Sequence, residues 1–214
     1  MGSSRFVLKR VNIHMPHIKR VAITGHTKGI GQQLWNRLED RGIELKGFSK
    51  STGYNLQRVS TCKKVVQEVV DWNADVFINN AYVPDNQVRL LYLLYEHWEN
   101  KPRLIVNLSA TSSDSITNFS QMGYNENWTP YVSDKARLDF ASLQLANMYK
   151  KGKCRVSLVK PGFVDTDSTA MFKEFAEEYM MTADSVAEQL EWLVDLGKEV
   201  QVRNLSFDVG NFNG

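Results

Sequence analysis

The sequence predicts one α/β domain, a doubly wound and mostly parallel sheet flanked by helices. Three observations predict it. Apolar runs of strand length alternate with segments of helical period along most of the 214 residues. The runs are apolar at consecutive positions, as parallel strands covered on both faces are. The first of them, Arg20-Val-Ala-Ile-Thr-Gly25, runs into a glycine cluster, His26-Thr-Lys-Gly29-Ile-Gly31, that opens a helix.

Taken in order, the strand-like runs are 20–25, 44–49, 74–79, 103–109, 154–160 and 205–209. Helical periodicity marks 30–40, 59–72, 87–98, 130–149 and 183–196. The first helix should stop at Arg41-Gly42, a C-cap signal. The last should start at Thr182 or Asp184, either of which can cap it. Right-handed crossovers place ligands at the carboxyl ends of such strands. Two stretches fit the alternation poorly. Residues 110–129 are rich in serine, threonine and asparagine; residues 165–181 mix aromatics and methionines. Both follow strands, so both should overhang the ligand end of the sheet, the second (about 165–181) as a small substrate lid.

Composition excludes rather than identifies. The net charge of +2 gives no reason to expect nucleic acid or an anionic membrane as partner, and no apolar run approaches a membrane span. Cys62 and Cys154 lack metal-ligand spacing, and Cys154 opens an apolar run, as a buried reduced thiol would. No metal site is expected, and a cytoplasmic setting is. Residues 1–19 carry Arg5, Lys9, Arg10 and Lys19 and no acidic residue. Without an apolar h-region they read as a basic extension or an expression remnant, an organelle leader being the weaker alternative. The domain proper is therefore 20–214.

The glycine loop is the first chemical signal. Glycine turns tightly and lets the backbone approach a pyrophosphate, and the helix N-terminus offers its unpaired N–H groups. The spacing is G-x-x-x-G-x-G, not G-x-G-x-x-G. A dinucleotide site usually places a carboxylate on the ribose 2′-hydroxyl about 20 residues on. Here the second strand ends in Ser49-Lys50-Ser51 instead. A hydroxyl and a cation suit a 2′-phosphate, and Lys28 inside the loop could add a second cation. Each lysine alone reads equally well as solvated surface; together they favour NADP(H) over NAD(H).

Tyr131 and Lys135 stand at i and i+4, on one helix face. An ammonium beside a phenol lowers a pKa that is otherwise about 10, making a usable general acid or base. The pattern alone recurs by chance. Ser109, ending the fourth strand-like run, could hydrogen-bond a substrate carbonyl or merely cap a turn.

In this order the motifs resemble those of the short-chain dehydrogenase/reductase family over residues 20–210. Thr24-Gly-His-Thr-Lys-Gly-Ile-Gly31 is similar to its TGxxxGxG loop, Asn79-Asn-Ala-Tyr82 to its NNAG segment, Tyr131 and Lys135 to YxxxK, and Pro161-Gly-Phe-Val-Asp-Thr166 to PG-x-V-x-T. The resemblance implies a Rossmann-type, NADPH-dependent oxidoreductase acting on a carbonyl or alcohol. It implies that Tyr131 is the acid/base, that Lys135 lowers its pKa and holds the nicotinamide ribose, and that Ser109 orients the substrate. Gly25, Thr27, Gly29, Ile30 and Gly31 would cradle the pyrophosphate. Asn55, Leu56, Asn79 and Ala81 would border the adenosine, and Pro161, Gly162, Val164 and Thr166 the nicotinamide. The family's catalytic asparagine has Asn86 as its nearest candidate. Two departures stand out: Tyr82 replaces a glycine, and the segment from Asn80 to Ser109 is short. They motivate an alternative, a regulatory or scaffold protein that binds cofactor with little or no turnover. A homo-oligomer, dimer or tetramer, is the expected assembly.

Overall fold

The computed structural model describes residues 18–114, 128–148, 153–196 and 199–210. The main sheet has six parallel strands: β1 (Arg20–Thr24), β2 (Glu44–Phe48), β3 (Val76–Asn79), β4 (Leu104–Leu108), β5 (Arg155–Pro161) and β8 (Asn204–Phe207). Their spatial order is β2-β1-β3-β4-β5-β8. All five pairings are parallel, from Arg20 opposite Glu44 to Pro161 opposite Phe207. All six predicted strands are present. Four of them end a residue or two early, as at Gly25, whose φ is +71°, while β3 ends where expected and β5 runs one residue further.

Helices α1 (Gly29–Asp40), α2 (Val59–Asp71), α3 (Asn86–Trp98), α4 (Thr129–Met148) and α6 (Ala183–Asp195) cover the two faces. Alternate residues of each strand choose the face. Val21, Ile23, Val76, Ile78, Leu104 and Val106 pack with Leu34 and Leu38 of α1 and Leu190 and Leu193 of α6. Ala22, Phe77, Ile105 and Val156 pack with Leu90, Leu94 and Trp98 of α3 and Leu138 and Leu145 of α4. Both sets are almost wholly buried, so each of the four central strands, β1, β3, β4 and β5, contributes to two cores, which is why its apolar run is continuous. Arg37 and Arg41 of α1 bridge to Asp184, Glu191 and Asp195 of α6 along the solvent edge of the first layer.

Gly42, at φ +72°, ends α1 as expected. Thr182 caps α6, its hydroxyl accepting the Ser185 N–H at 3.0 Å. The stretch at 165–181 is tied at both ends by a small parallel ribbon, β6 (Val164–Asp165) with β7 (Met181–Thr182). Between them lie two 3-10 turns and the one-turn helix α5 (Lys173–Ala176). Of the polar stretch at 110–129, residues 111–114 form a 3-10 turn, while 115–127 lie outside the described residues, as do residues 1–17. No helix among the described residues is long and apolar enough to cross a membrane.

Candidate active site

The strand order reverses at β1: β2 lies on one side and β3 on the other. That reversal opens a crevice at the carboxyl edge, and short side chains hold its lips together. Thr24 Oγ1 accepts the backbone N–H groups of Asn80 at 2.9 Å and Ala81 at 3.0 Å. Asn80 Nδ2 returns hydrogen bonds to the carbonyls of Thr24 at 2.9 Å and Gly25 at 3.2 Å. A Cβ at Gly31 would collide with the Gly25 carbonyl oxygen. The third glycine is therefore demanded by close packing of loop on helix, whereas Gly25 and Gly29, at φ +71° and +56°, are demanded by torsion. The result is a glycine cradle at the start of α1, which fits the phosphates of a dinucleotide. Thr27 and Ile30 lie within it, and Gly29 faces Thr166 across the crevice.

Beside the cradle, the end of β2 gathers hydroxyls. Ser49 Oγ lies 2.8 Å from Ser51 Oγ, and Thr27 Oγ1 reaches both, at 3.4 and 3.2 Å. Ser49 caps the 3-10 turn that starts at Lys50. Lys28 points elsewhere: its Nζ lies 3.6 Å from Asp167, both side chains being largely exposed. Asn55 Oδ1 is occupied by the Gln57 N–H at 3.1 Å. Leu56 is buried in the α2–α3–α4 core.

At the other end of the crevice a buried polar spine runs through β3, β4 and α4. Asn79 Nδ2 donates to Asn107 Oδ1 and to the Gln87 carbonyl, each at 2.9 Å. Asn107 Nδ2 donates to Ser142 Oγ at 3.0 Å. Gln87 Nε2 donates to the carbonyls of Asn79 at 3.0 Å and Leu108 at 3.2 Å. The spine's last oxygen, the buried Gln87 Oε1, accepts from Lys135 Nζ at 3.0 Å, and Leu108 O accepts from Lys135 Nζ at 2.9 Å.

Two expectations are corrected here. Asn79 does not border the crevice through its side chain, which is wholly buried in the spine; its neighbour Asn80 takes the crevice role. Asn86 does not approach Lys135. Its Nδ2 donates to the Leu56 carbonyl at 2.7 Å and its Oδ1 accepts from Arg89, so it ties α3 to the loop before α2. The amide that meets the lysine is Gln87. Sequence reading missed it by one position, because 100° of helix rotation separates neighbouring side chains. The signal available was that Gln87 is a polar residue on the same helical stripe as Leu90, Leu91 and Leu94.

Tyr131 is half-buried one turn before Lys135 and enclosed by aromatic rings. Tyr82 meets it edge to face at 4.8 Å, and Trp128 at 5.9 Å. Trp128 in turn packs on Phe172, and Phe172 on Phe163, which carries the aromatic wall onto the segment after β5. Loss of solvent first, then Tyr82 and the Asp139 charge, push the Tyr131 phenol up to about 12. The shift runs upward, opposite to the lowering expected from Lys135, because loss of solvent dominates; the ammonium itself is held by Gln87 and Leu108. Burial likewise pulls Lys135 down to about 7, against the opposing charges of Asp139 and Asp134. Ser109, 4% exposed, follows β4 with its hydroxyl on the Lys135 carbonyl at a long 3.5 Å.

Behind the pair, Lys160 on β5 is buried and binds Asp139 at 2.8 Å and also Asp114. Ser113 donates to the same Asp139 carboxylate. This cluster ties the turn after Ser109 to α4 and β5. Nothing in its spacing distinguished it in the sequence. Pro161 closes β5; Gly162 follows, where a Cβ would strike the Asp208 carboxylate. Val164 is buried in β6, and the Thr166 hydroxyl is shared with Ser168 and Thr169.

No family model matches the chain. Among curated proteins it is similar to the 3-oxoacyl-[acyl-carrier-protein] reductase FabG of Buchnera aphidicola, 23% identical, with 73% of this chain and 78% of that protein covered. Among solved structures it is similar to a short-chain dehydrogenase from Burkholderia cenocepacia in complex with NADP, with TM-score 0.70, 17% identity, and 90% of this chain and 97% of that one covered. It is also similar to a 3-alpha-hydroxysteroid dehydrogenase from a Pseudomonas species complexed with NADH, with TM-score 0.72, 17% identity, and coverage of 88% and 94%.

Proposed function

We infer that this chain is a member of the short-chain dehydrogenase/reductase family, to whose members it is similar, and an oxidoreductase that moves hydride between a nicotinamide cofactor and a carbonyl or alcohol substrate, with Tyr131 as acid/base. The observation that supports this reading is that the Ser109 hydroxyl lies 3.5 Å from the Lys135 carbonyl and the Lys135 ammonium 5.6 Å from the Tyr131 ring. Gly25, Gly29 and Gly31, with Thr27 and Ile30, hold the pyrophosphate; Asn55, Leu56 and Ala81 border the adenosine; Pro161, Gly162, Val164 and Thr166 face the nicotinamide, which supplies or accepts the hydride when bound. NADP(H) is preferred over NAD(H). The hydroxyls of Thr27, Ser49 and Ser51 beside Lys50 suit a 2′-phosphate, and no carboxylate stands at the end of β2 to bind a free ribose hydroxyl.

A phenol at about 12 carries its proton throughout the neutral range, which suits the reductive direction. Tyr131 gives that proton to the carbonyl oxygen as negative charge develops on it. Ser109 donates to the same oxygen and orients it. Lys135 stabilises the phenolate left behind, held for that task by Gln87 Oε1 and Leu108 O. Ribose hydroxyls brought to the ammonium would favour its charged form. The lid spans residues 165–181. We expect the Tyr131→Phe variant to lose carbonyl reduction by at least about a hundredfold while binding NADPH within about twofold of the parent. Unchanged NADPH oxidation in that variant overturns the mechanism.

One observation favours the second reading, a cofactor-binding protein without efficient turnover: the Tyr82 ring lies over the Lys135 ammonium at 5.2 Å. NADPH oxidation across a panel of aldehydes, ketones and quinones separates the two. Binding without oxidation of any panel member supports the regulator.

A further inference from the structure

A lysine ammonium has three N–H donors. Among the described residues, two oxygens accept from Lys135 Nζ, Gln87 Oε1 at 3.0 Å and the Leu108 carbonyl at 2.9 Å. The rest of the ammonium meets aromatic faces, Tyr82 at 5.2 Å and Tyr131 at 5.6 Å. Such faces are a fair substitute for an oxygen while the site is closed to water. They are also a barrier, since a ligand oxygen seeking the third N–H must take the place of a ring.

The two rings are not equally fixed. Tyr131 belongs to α4, one turn from Lys135. Tyr82 follows β3 outside any helix or strand and is 39% exposed. Among the described residues its hydroxyl is held by one hydrogen bond, to Asp134 Oδ2 at 3.2 Å. Its backbone neighbours Asn80 and Ala81 are pinned to Thr24, so the side chain can swing while the crevice keeps its shape. Asp134 has a second partner in Arg137 at 2.8 Å and does not depend on Tyr82 for compensation.

We propose that Tyr82 is a gate on the Lys135 ammonium. A ligand carrying vicinal hydroxyls, such as the ribose of a nicotinamide nucleotide, engages Lys135 only after the Tyr82 hydroxyl leaves Asp134 and its ring leaves Tyr131. This rests on the reading of the crevice as a dinucleotide site. The closed gate lowers apparent affinity by the fraction of molecules that are open. Removing it raises affinity with no new contact.

The test is titration of the full chain with NADPH, and separately with NADH, read by quenching of tryptophan fluorescence. Three proteins are compared: the parent, Tyr82→Ala and Tyr82→Phe, each checked by thermal unfolding. Tyr82→Ala should bind both dinucleotides at least about tenfold more tightly than the parent. Tyr82→Phe keeps the ring but frees it from Asp134, and should fall between, at about threefold. Equal or weaker binding by Tyr82→Ala overturns the gate and makes Tyr82 a supporting wall. If Tyr82→Ala does not fold, Tyr82→Phe decides, and equal or weaker binding again overturns it. Failure of the parent and both variants to bind either dinucleotide at millimolar concentration overturns the dinucleotide reading, and the gate with it. Binding by the parent with no gain in the variants overturns the gate alone.

Discussion

The two ends of the crevice are held by opposite means. At the glycine end, backbone torsions and three short side chains, Thr24, Asn80 and Thr27, set the shape, and most of the partners lie within one β-α turn or on the adjoining strand. At the Tyr131–Lys135 end, groups from separate segments converge: the Tyr82 ring after β3, the Gln87 amide on α3, the Leu108 carbonyl on β4, and the Tyr131 and Lys135 side chains on α4. The first end is a rigid cradle built by exclusion of side chains. The second is a mostly buried cluster of polar and aromatic groups, in which loss of solvent and neighbouring groups shift both Tyr131 and Lys135. Where backbone makes the site, a motif describes it. Where distant side chains make it, one substitution can redraw it, as Gln87 and Tyr82 do here.

Variants at each end should therefore fail differently. The largest effect is expected at the second end, from Tyr131→Phe, which loses turnover and keeps binding. Its counterpart at the first end is Gly31→Ala. A Cβ there meets a carbonyl oxygen and the Asn80 amide, neither of which can yield without opening the loop. Calorimetric titration should show NADPH binding weaker by roughly fiftyfold or more, because the donors that cradle the pyrophosphate are displaced together. Retained affinity in Gly31→Ala would mean that the cradle is more pliant than its packing indicates.

Next in size is Gln87→Leu, which removes an acceptor from a buried ammonium. Turnover should fall by about tenfold, and the alkaline limb of the pH–rate profile should move to lower pH, since Lys135 then loses its proton more readily. Gln87→Glu should move that limb the other way. A fall in rate with an unmoved limb would reduce Gln87 to a structural role. At the first end, Lys50→Glu should weaken NADPH by about tenfold and leave NADH within about twofold, which separates a 2′-phosphate contact from general damage.

The smallest effect is on stability. Burial pulls Lys135 to about 7 in the folded state, against about 10.4 unfolded. Between those values the unfolded chain holds the proton that the folded chain has released, so stability should rise with pH across that window. Below about pH 7 both states are protonated and this contribution is flat. Lys135→Met should lack the rise when thermal unfolding is followed from pH 7 to pH 10, and an identical slope in parent and variant would refute the shift.

Much of this was legible in the chain. Six strands, five main helices, the Gly42 stop and the cradle of Gly25, Gly29 and Gly31 follow from apolar periodicity and from glycine placement, which are local properties. That Ser109 lies against Lys135, with the Tyr131 ring beside the ammonium, was expected from the family resemblance rather than from the spacing alone. Asn86 was misread for Gln87 because a helix's phase at its first turn depends on how the preceding loop enters it. Here Asp85, at φ +61°, sets that entry. The direction of the Tyr131 shift was misread because burial is a property of the surroundings, and Tyr82, Trp128 and Phe172 come from three distant segments. Lys160 gave no signal at all, since a lysine in an apolar run shows neither its depth nor its partners Asp139 and Asp114.

By itself, then, the sequence determined a doubly wound parallel sheet and the position of the glycine cradle at its first β-α turn, since each of these rests on contacts made within a turn or a strand. Tertiary structure alone decided which amide holds Lys135, which ring covers it and whether Tyr131 keeps its proton. Those depend on solvent exclusion and on side chains brought together from far apart, and in a buried site these two effects outweigh the influence of the nearest neighbour in the chain.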